Sequence, residues 1–268
     1  TITGTSIDLS GNIDVDGTTN LDVVDIDGAV NLGSTFTFGN AAYIIGNSTN
    51  GIRINKSDDS VNLFKFLDDG SFQTVTLGTS NLRLGLNAGN SIVSGGNYNV
   101  VVGDEAGTAI TTGDSNVIVG MVAGDALTTA SDNVAIGQGA LTADTLGSKT
   151  VAIGRQALTT QNFTSATDTY NTAVGFRAGL SVTTGVQNTL IGGLAGDAIT
   201  TASNNTALGY ASLSANTTGT ENTALGMSSA AGNTTGNYNV SLGKGTLQTN
   251  TTGASNTAVG TNSLQNAT

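Results

Sequence analysis

The chain has 268 residues, of which 38 are glycine and none is proline, cysteine, histidine or tryptophan; aromatic side chains make up 4%, charged ones 10%, and the net charge is −11. Without His or Cys there is no Ser-His or Cys-His nucleophile pair, no common zinc constellation and no disulfide framework. The acidic balance, 19 acids against 8 bases, offers no basic stripe to nucleic acid or anionic lipid, and no apolar run or signal-peptide pattern implies membrane insertion.

Residue 1 is Thr, so the sequence reads as a segment of a longer polypeptide with room for anchors beyond either end. Residues 1–33 are expected to form an acidic β stalk or shaft segment. Ile7-Asp8-Leu9-Ser10-Gly11, Ile13-Asp14-Val15-Asp16-Gly17 and Val24-Asp25-Ile26-Asp27-Gly28 alternate aliphatic and polar or acidic residues and end in glycine. This is the pattern of brief strands with one buried face between turns. The paired aspartates could be taken for calcium ligands, but the EF-hand spacing with Glu at its twelfth position is missing. Solvated strand faces account for them.

Residues 34–80 hold most of the large side chains, Phe36, Phe38, Tyr43, Phe64, Phe66 and Phe72. Period-two alternation around Phe36 and Phe64, with a turn at Asp68-Asp69-Gly70-Ser71, predicts a small β section or connector. Its phenylalanines are expected in a core or a subunit interface.

From residue 81 to 268 one five-residue phrase, commonly Asn-Thr-Ala-Val/Leu-Gly, recurs eleven times, closing at Gly85, Gly103, Gly120, Gly137, Gly154, Gly175, Gly192, Gly209, Gly226, Gly243 and Gly260. The steps are 18, 17, 17, 17, 21, 17, 17, 17, 17 and 17. A fixed period marks a stacked-repeat architecture, and β-branched residues with this much glycine refuse a helix. The expectation is an all-β parallel β-solenoid, a β-roll of 17-residue coils with two short strands and two turns each. Coils about 4.8 Å apart would give a rod of roughly 50 Å.

Alternation assigns the faces. The residue before each closing glycine is always aliphatic: Leu84, Val102, Val119, Ile136, Ile153, Val174, Ile191, Leu208, Leu225, Leu242 and Val259. These are expected as the structural interior column, with the residue two places earlier (Leu82, Val100, Val117 and so on to Thr257) pointing the same way. Between them a usually small residue faces outward, so Ala135, Ala152, Ala173, Ala207, Ala224 and Ala258 are expected at a subunit interface. After the glycine come a second small-residue column from Ala88 to Ser263 and polar turns such as Thr183-Thr184-Gly185, where glycine serves positive φ or close approach.

One coil buries few aliphatics against the entropy of its whole backbone, so a lone thin rod is weakly supported and an obligate homo-oligomer is expected. The repeat phrase, with its small-residue and Thr-Thr-Gly columns, resembles the head repeats of trimeric autotransporter adhesins (the YadA-like β-roll) and, more closely, related repeats in phage tail fibres. The stretch 9–32, with Asp16-Gly17-Thr18-Thr19-Asn20-Leu21-Asp22, resembles shaft segments of tail-fibre proteins of marine phages. The resemblance implies a homotrimeric fibre of the virion tail, joined to other tail proteins, that presents its rod to a host cell-surface glycan or protein. The head of a bacterial trimeric surface adhesin is the alternative. An ice-binding solenoid is a third reading, which would need a flat exposed array of spaced threonines rather than adjacent pairs at turns.

No enzyme activity, metal or cofactor is expected. The acids of the repeat region are scattered singly apart from Asp104-Glu105, and Gly243-Lys244-Gly245-Thr246 is a repeat variant without the phosphate-loop context. The one break in the period, between Gly154 and Gly175, places four extra residues within 159–168. Insertions in a solenoid bulge from one face and bulging loops carry binding. Gln161, Asn162, Phe163 and Thr164 are thus a candidate receptor-contact loop, with neutral drift in a surface turn as the alternative.

Overall fold

The computed structural model describes residues 78–266 and the course of six short strands between residues 37 and 74. The acidic stalk segment 1–33 lies outside the described residues, as do the side chains of the β section that follows it. In that section Thr37–Phe38 pairs antiparallel with Ala41–Ala42, and Ile44–Ser48, Gly51–Asn55, Asn62–Phe66 and Phe72–Thr74 form a four-stranded antiparallel meander.

The repeat region is a parallel β-solenoid, with no helix among the described residues. Its eleven rungs are the three-residue strands Leu82–Leu84, Val100–Val102, Val117–Val119, Val134–Ile136, Val151–Ile153, Thr172–Val174, Thr189–Ile191, Thr206–Leu208, Thr223–Leu225, Val240–Leu242 and Thr257–Val259. They stack in chain order as one parallel sheet, each residue paired with its equivalent in the next repeat, as in Thr206↔Thr223 and Leu208↔Leu225. The closing glycine makes this stack. At Gly209 φ is +140, and a Cβ there would lie 2.5 Å from the carbonyl oxygen of Gly226 in the next coil. Any side chain would strain the backbone and strike the neighbouring coil at once.

The second strand expected after that glycine does not form. The chain turns instead, with non-glycine residues held in the left-handed region, among them Ala211 (φ 52) and Leu213 (φ 50), then Ser228 (φ 53) and Ala230 (φ 49) in the next coil. The turns still hydrogen-bond along the rod: Ala211 N donates to Gly193 O (2.9 Å), Leu213 N to Ser229 O (3.0 Å) and Thr217 N to Thr234 O (2.9 Å). Coil-to-coil bonding satisfies the backbone without extended geometry.

The two faces of the sheet are the reverse of the sequence expectation. Ala135, Ala152, Ala173, Ala207 and Ala224 are 0% exposed and Ala258 2%, all within a single chain. They line the interior and are not a subunit interface. The aliphatic column points outward: Leu84 (40% exposed), Ile136 (36%), Leu208 (46%) and Val259 (65%) are exposed, and Val102, Val119, Ile153, Val174, Ile191, Leu225 and Leu242 are half-buried. The cause is the thinness of the coil. Each inward strand residue faces a wall residue six positions on, and the two exchange size. Val101, Ile118 and Leu190 face Gly107, Gly124 and Gly196, whereas Ala135, Ala152, Ala207 and Ser241 face Leu141, Leu158, Leu213 and Leu247. A Cβ at Gly196 would sit 2.8 Å from Leu190 Cδ2, and one at Gly124 3.1 Å from Ile118 Cδ1. Two facing pairs are both small, Ala173 with Gly179 and Ala224 with Ala230; at the first, Leu158 and Leu190 lean in from the adjacent coils. Close packing leaves room for one large side chain per pair.

One corner of the interior is polar. The asparagines that open the phrase, Asn99, Asn116, Asn133, Asn171, Asn188, Asn205, Asn222 and Asn239, are buried in a ladder interrupted once, at Thr150. Asn188 Oδ1 accepts from the backbone N–H (3.0 Å) and Nδ2 (3.2 Å) of Asn205, while Asn188 Nδ2 donates to the carbonyl of Ala202 (2.9 Å). A second ladder, Asn216, Asn233 and Asn250, runs along the C-terminal coils. Each amide is thereby compensated for its burial.

Candidate binding surface

The outward face of the sheet carries two files of side chains two residues apart on every rung. In four successive coils Thr172, Thr189, Thr206 and Thr223 stand beside Val174, Ile191, Leu208 and Leu225. Strict in-register pairing makes this face a regular amphipathic strip down the rod.

The four-residue insertion is built differently from the expected contact loop. Gln161 is 0% exposed and Phe163 7%, so neither meets solvent as a receptor contact; Asn162 and Thr164 do. Gln161 mends the asparagine ladder where Thr150 takes an asparagine position. Its Nε2 donates to Asp144 Oδ2 (2.6 Å) and Thr150 Oγ1 (3.1 Å), and its Oε1 accepts from Asn171 Nδ2 (2.8 Å). Asp144 also accepts from the backbone of Gly147 (3.0 Å) and Phe163 (3.1 Å). Burial outweighs these bonds and pushes its carboxyl above the usual carboxylate range. The extra length is taken up where Gly147–Ser148 pairs parallel with Thr167–Asp168. Residues 164–166 are left as the exposed tip, and Val151 still pairs with Thr172 across the insertion.

The surface chemistry of these coils lies beside the insertion. Lys149 pairs with Asp168, and their mutual hydrogen bond raises the lysine and lowers the carboxyl; Lys149 Nζ also stands 5.5 Å from the centre of the Tyr170 ring. On the opposite edge of the sheet, one place past each closing glycine, runs a ridge of side chains that includes Gln138, Arg155, Phe176, Gly193 and Tyr210. Phe176 is 45% exposed, and two guanidiniums flank its ring, Arg155 with Cζ at 5.9 Å and Arg177 at 5.2 Å from the centroid. Each arginine is tethered by Nε, Arg155 to Gln138 Oε1 (3.1 Å) and Arg177 to Gln156 Oε1 (3.0 Å). Lys149–Asp168 is the one ion pair among the described residues, so both guanidiniums keep donors available. Two coils on, Tyr210 is 58% exposed and its ring covers Gly193, 3.6 Å from where a Cβ would be. Asp125 and Asp197, in the outer turns, each bury one carboxylate oxygen without a hydrogen bond, and burial pushes both carboxyls up. Arg177 partly counters this at Asp197. Among the described residues no group of three or more acidic side chains gathers as a metal site.

Nothing in the amino-acid pattern marks this ridge until the coils are aligned one position past each closing glycine. There Arg155, Phe176 and Tyr210 fall in single file, with Arg177 next to Phe176. Compared with protein-family models, curated proteins and solved structures, the chain has no match.

Proposed function

We propose that this chain is a segment of a non-enzymatic, adhesive homotrimeric fibre, a virion tail fibre joined to other tail proteins that presents its rod to a host cell-surface glycan or protein. The observation that carries the reading is the outward face of the sheet. Eleven rungs display an aliphatic residue beside a Thr, Val or Leu in unbroken register, a strip roughly 50 Å long and about 10–15 Å wide. Such a contiguous strip of aliphatic and threonine side chains lies at the upper end of what a monomer exposes. On the order of 500–750 Å² per chain, it approaches the roughly 800 Å² per partner of a standard interface. A partner with the same period matches it rung for rung, and sister chains have that period. The number three and the virion setting come from the resemblance of the repeats to tail-fibre and adhesin heads.

Sedimentation velocity tests the assembly. The wild-type chain is expected to sediment as a trimer, and Leu208→Asp combined with Leu225→Asp as a monomer that keeps its β-type circular dichroism. A wild-type monomer overturns the fibre reading. Adhesion is tested with labelled rods on a panel of bacterial cells; rods that bind none of the cells overturn the adhesive role. The bacterial-adhesin alternative shares the architecture and predicts instead a surface anchor encoded in the same gene. The ice-binding reading gains one observation, the in-register file of half-buried Thr172, Thr189, Thr206 and Thr223, and thermal hysteresis in the wild-type chain would favour it over the fibre.

A further inference from the structure

We infer that the ridge formed by Arg155, Phe176, Arg177 and Tyr210 is a binding site for an acidic sugar unit, one that bears a carboxylate, of a surface glycan. The inference rests on the adhesive reading and names the chemistry its contact would recognise.

Charge is the first support. The chain is acidic overall, yet between residues 145 and 196 the charged side chains are Lys149, Arg155, Asp168 and Arg177. Lys149 and Asp168 neutralise one another. What remains is a pair of arginines in adjacent coils on one edge of an otherwise acidic rod; Asp197, whose carboxyl feels Arg177, offsets part of their charge and leaves a local positive excess that selects an anion. Guanidinium N–H groups present a planar fork that matches a carboxylate. Each arginine is held by its Nε on a glutamine and by its approach to Phe176, so less side-chain freedom is lost when an anion binds.

The aromatic surface is the second. Phe176 and Tyr210 are two coils apart, about 10 Å along the rod, and both are exposed. The ring of Tyr210 bridges the space between them by lying over Gly193. A pyranose has an apolar face of C–H groups that packs against the negative face of such aromatic rings. Seated on this platform, it would direct a ring carboxylate toward the guanidiniums at the Phe176 end.

Gly193 is the third, and independent of charge. Unlike the closing glycines it has no positive φ, and a Cβ would meet nothing closer than the Tyr210 ring at 3.6 Å. The equivalent place in other coils accepts Leu86, Asp104, Met121, Gln138, Lys244 and others. Backbone geometry does not demand glycine here. A Cβ alone would fit in ordinary contact, but a longer side chain there would compete with the Tyr210 ring for the space over residue 193.

The test measures binding of the wild-type chain to polygalacturonate, to its methyl-esterified form and to dextran sulfate at moderate salt. Binding to polygalacturonate and not to the ester is expected, weakened about tenfold or more by R155Q with R177Q and by F176A. G193Q, which folds like the coils around it but displaces Tyr210, should weaken it similarly, while K244Q and Y98A leave it unchanged. Equal binding to the ester, an equal loss in K244Q, or dextran sulfate binding that ignores F176A overturns the site in favour of generic charge attraction. Cell adhesion separates the two levels: if wild-type rods adhere and R155Q/R177Q rods adhere equally, the site fails and the adhesive reading stands. If wild-type rods adhere to no cell while the polygalacturonate pattern holds, the adhesive reading fails and the site stands.

Discussion

The exchange of size between facing interior residues predicts a rescue. Ala207 and Leu213 face each other and are both 0% exposed, whereas the preceding coil carries the opposite pair, Leu190 and Gly196. Ala207→Leu alone forces a second large side chain into a filled space, for about 1–3 kcal/mol of destabilisation. Leu213→Gly alone removes a buried leucine, which costs about 3–5 kcal/mol. Relief of a left-handed backbone at position 213, where φ is 50, returns about 1 kcal/mol. If the two changes were independent the double variant would lose roughly 3–7 kcal/mol by summing these ranges. If they fill one space it recreates the Leu190/Gly196 coil and lies within about 1 kcal/mol of wild type, a coupling of at least about 2–3 kcal/mol. Urea melts of the four proteins, followed by circular dichroism under identical conditions, measure the cycle. Additive losses would refute the facing-pair account, and a harmless Ala207→Leu would place position 207 on the surface after all.

Other outcomes follow from the polar interior. Asn188→Ala should cost about 2–5 kcal/mol in urea melts, because it orphans both the Asn205 N–H and the Ala202 carbonyl. Asn222→Ala should cost about 1–3 kcal/mol, since Asn233 still donates to the Gly236 carbonyl and only the Asn239 N–H is stranded; equal losses would contradict this. Gln161→Ala should lower the melting temperature clearly, whereas trimming the exposed tip at 164–166 should leave it nearly unchanged; the reverse order would restore the loop as a contact element. Asp125 and Asp197 have carboxyls raised above 3.8 by burial, so their stabilising contribution is present below 3.8 and is lost as pH rises through the raised folded-state value. Acidification from pH 7 toward about 4 should therefore favour the wild type over an Asp125→Asn/Asp197→Asn variant in thermal melts, and identical pH slopes would disprove the link.

The period, the parallel stacking and the role of the closing glycine are legible in the amino-acid order, because each depends on one residue type recurring at one spacing. The direction of the faces is not, because alternation separates two sides without saying which is inside. Hydrophobicity alone places Leu208 inward and Ala207 outward, and the structure does the opposite. The deciding signal lies six residues away, in whether a glycine or a leucine stands on the facing wall. The asparagine ladder is likewise visible as a column, yet its meaning comes from contacts seventeen residues apart that satisfy buried amides. The insertion misleads for a related reason. Extra length suggests a protruding loop, but Gln161 and Phe163 are drawn inward by Asp144 and the interrupted ladder. The cationic ridge requires aligning positions outside the recurring phrase, where no residue type repeats.

The undisturbed pairing of Val151 with Thr172 across a lengthened coil has a consequence for how such a rod changes size. Extra residues that leave through a corner cost the stack nothing in register, whereas the hydrogen-bonded columns admit new material along the axis only as whole coils. Loss or duplication of one coil would alter reach by about 4.8 Å and leave the chemistry of every remaining rung as it was. The molecule can thus be tuned as a ruler in fixed increments, its span adjusted separately from whatever its edges recognise.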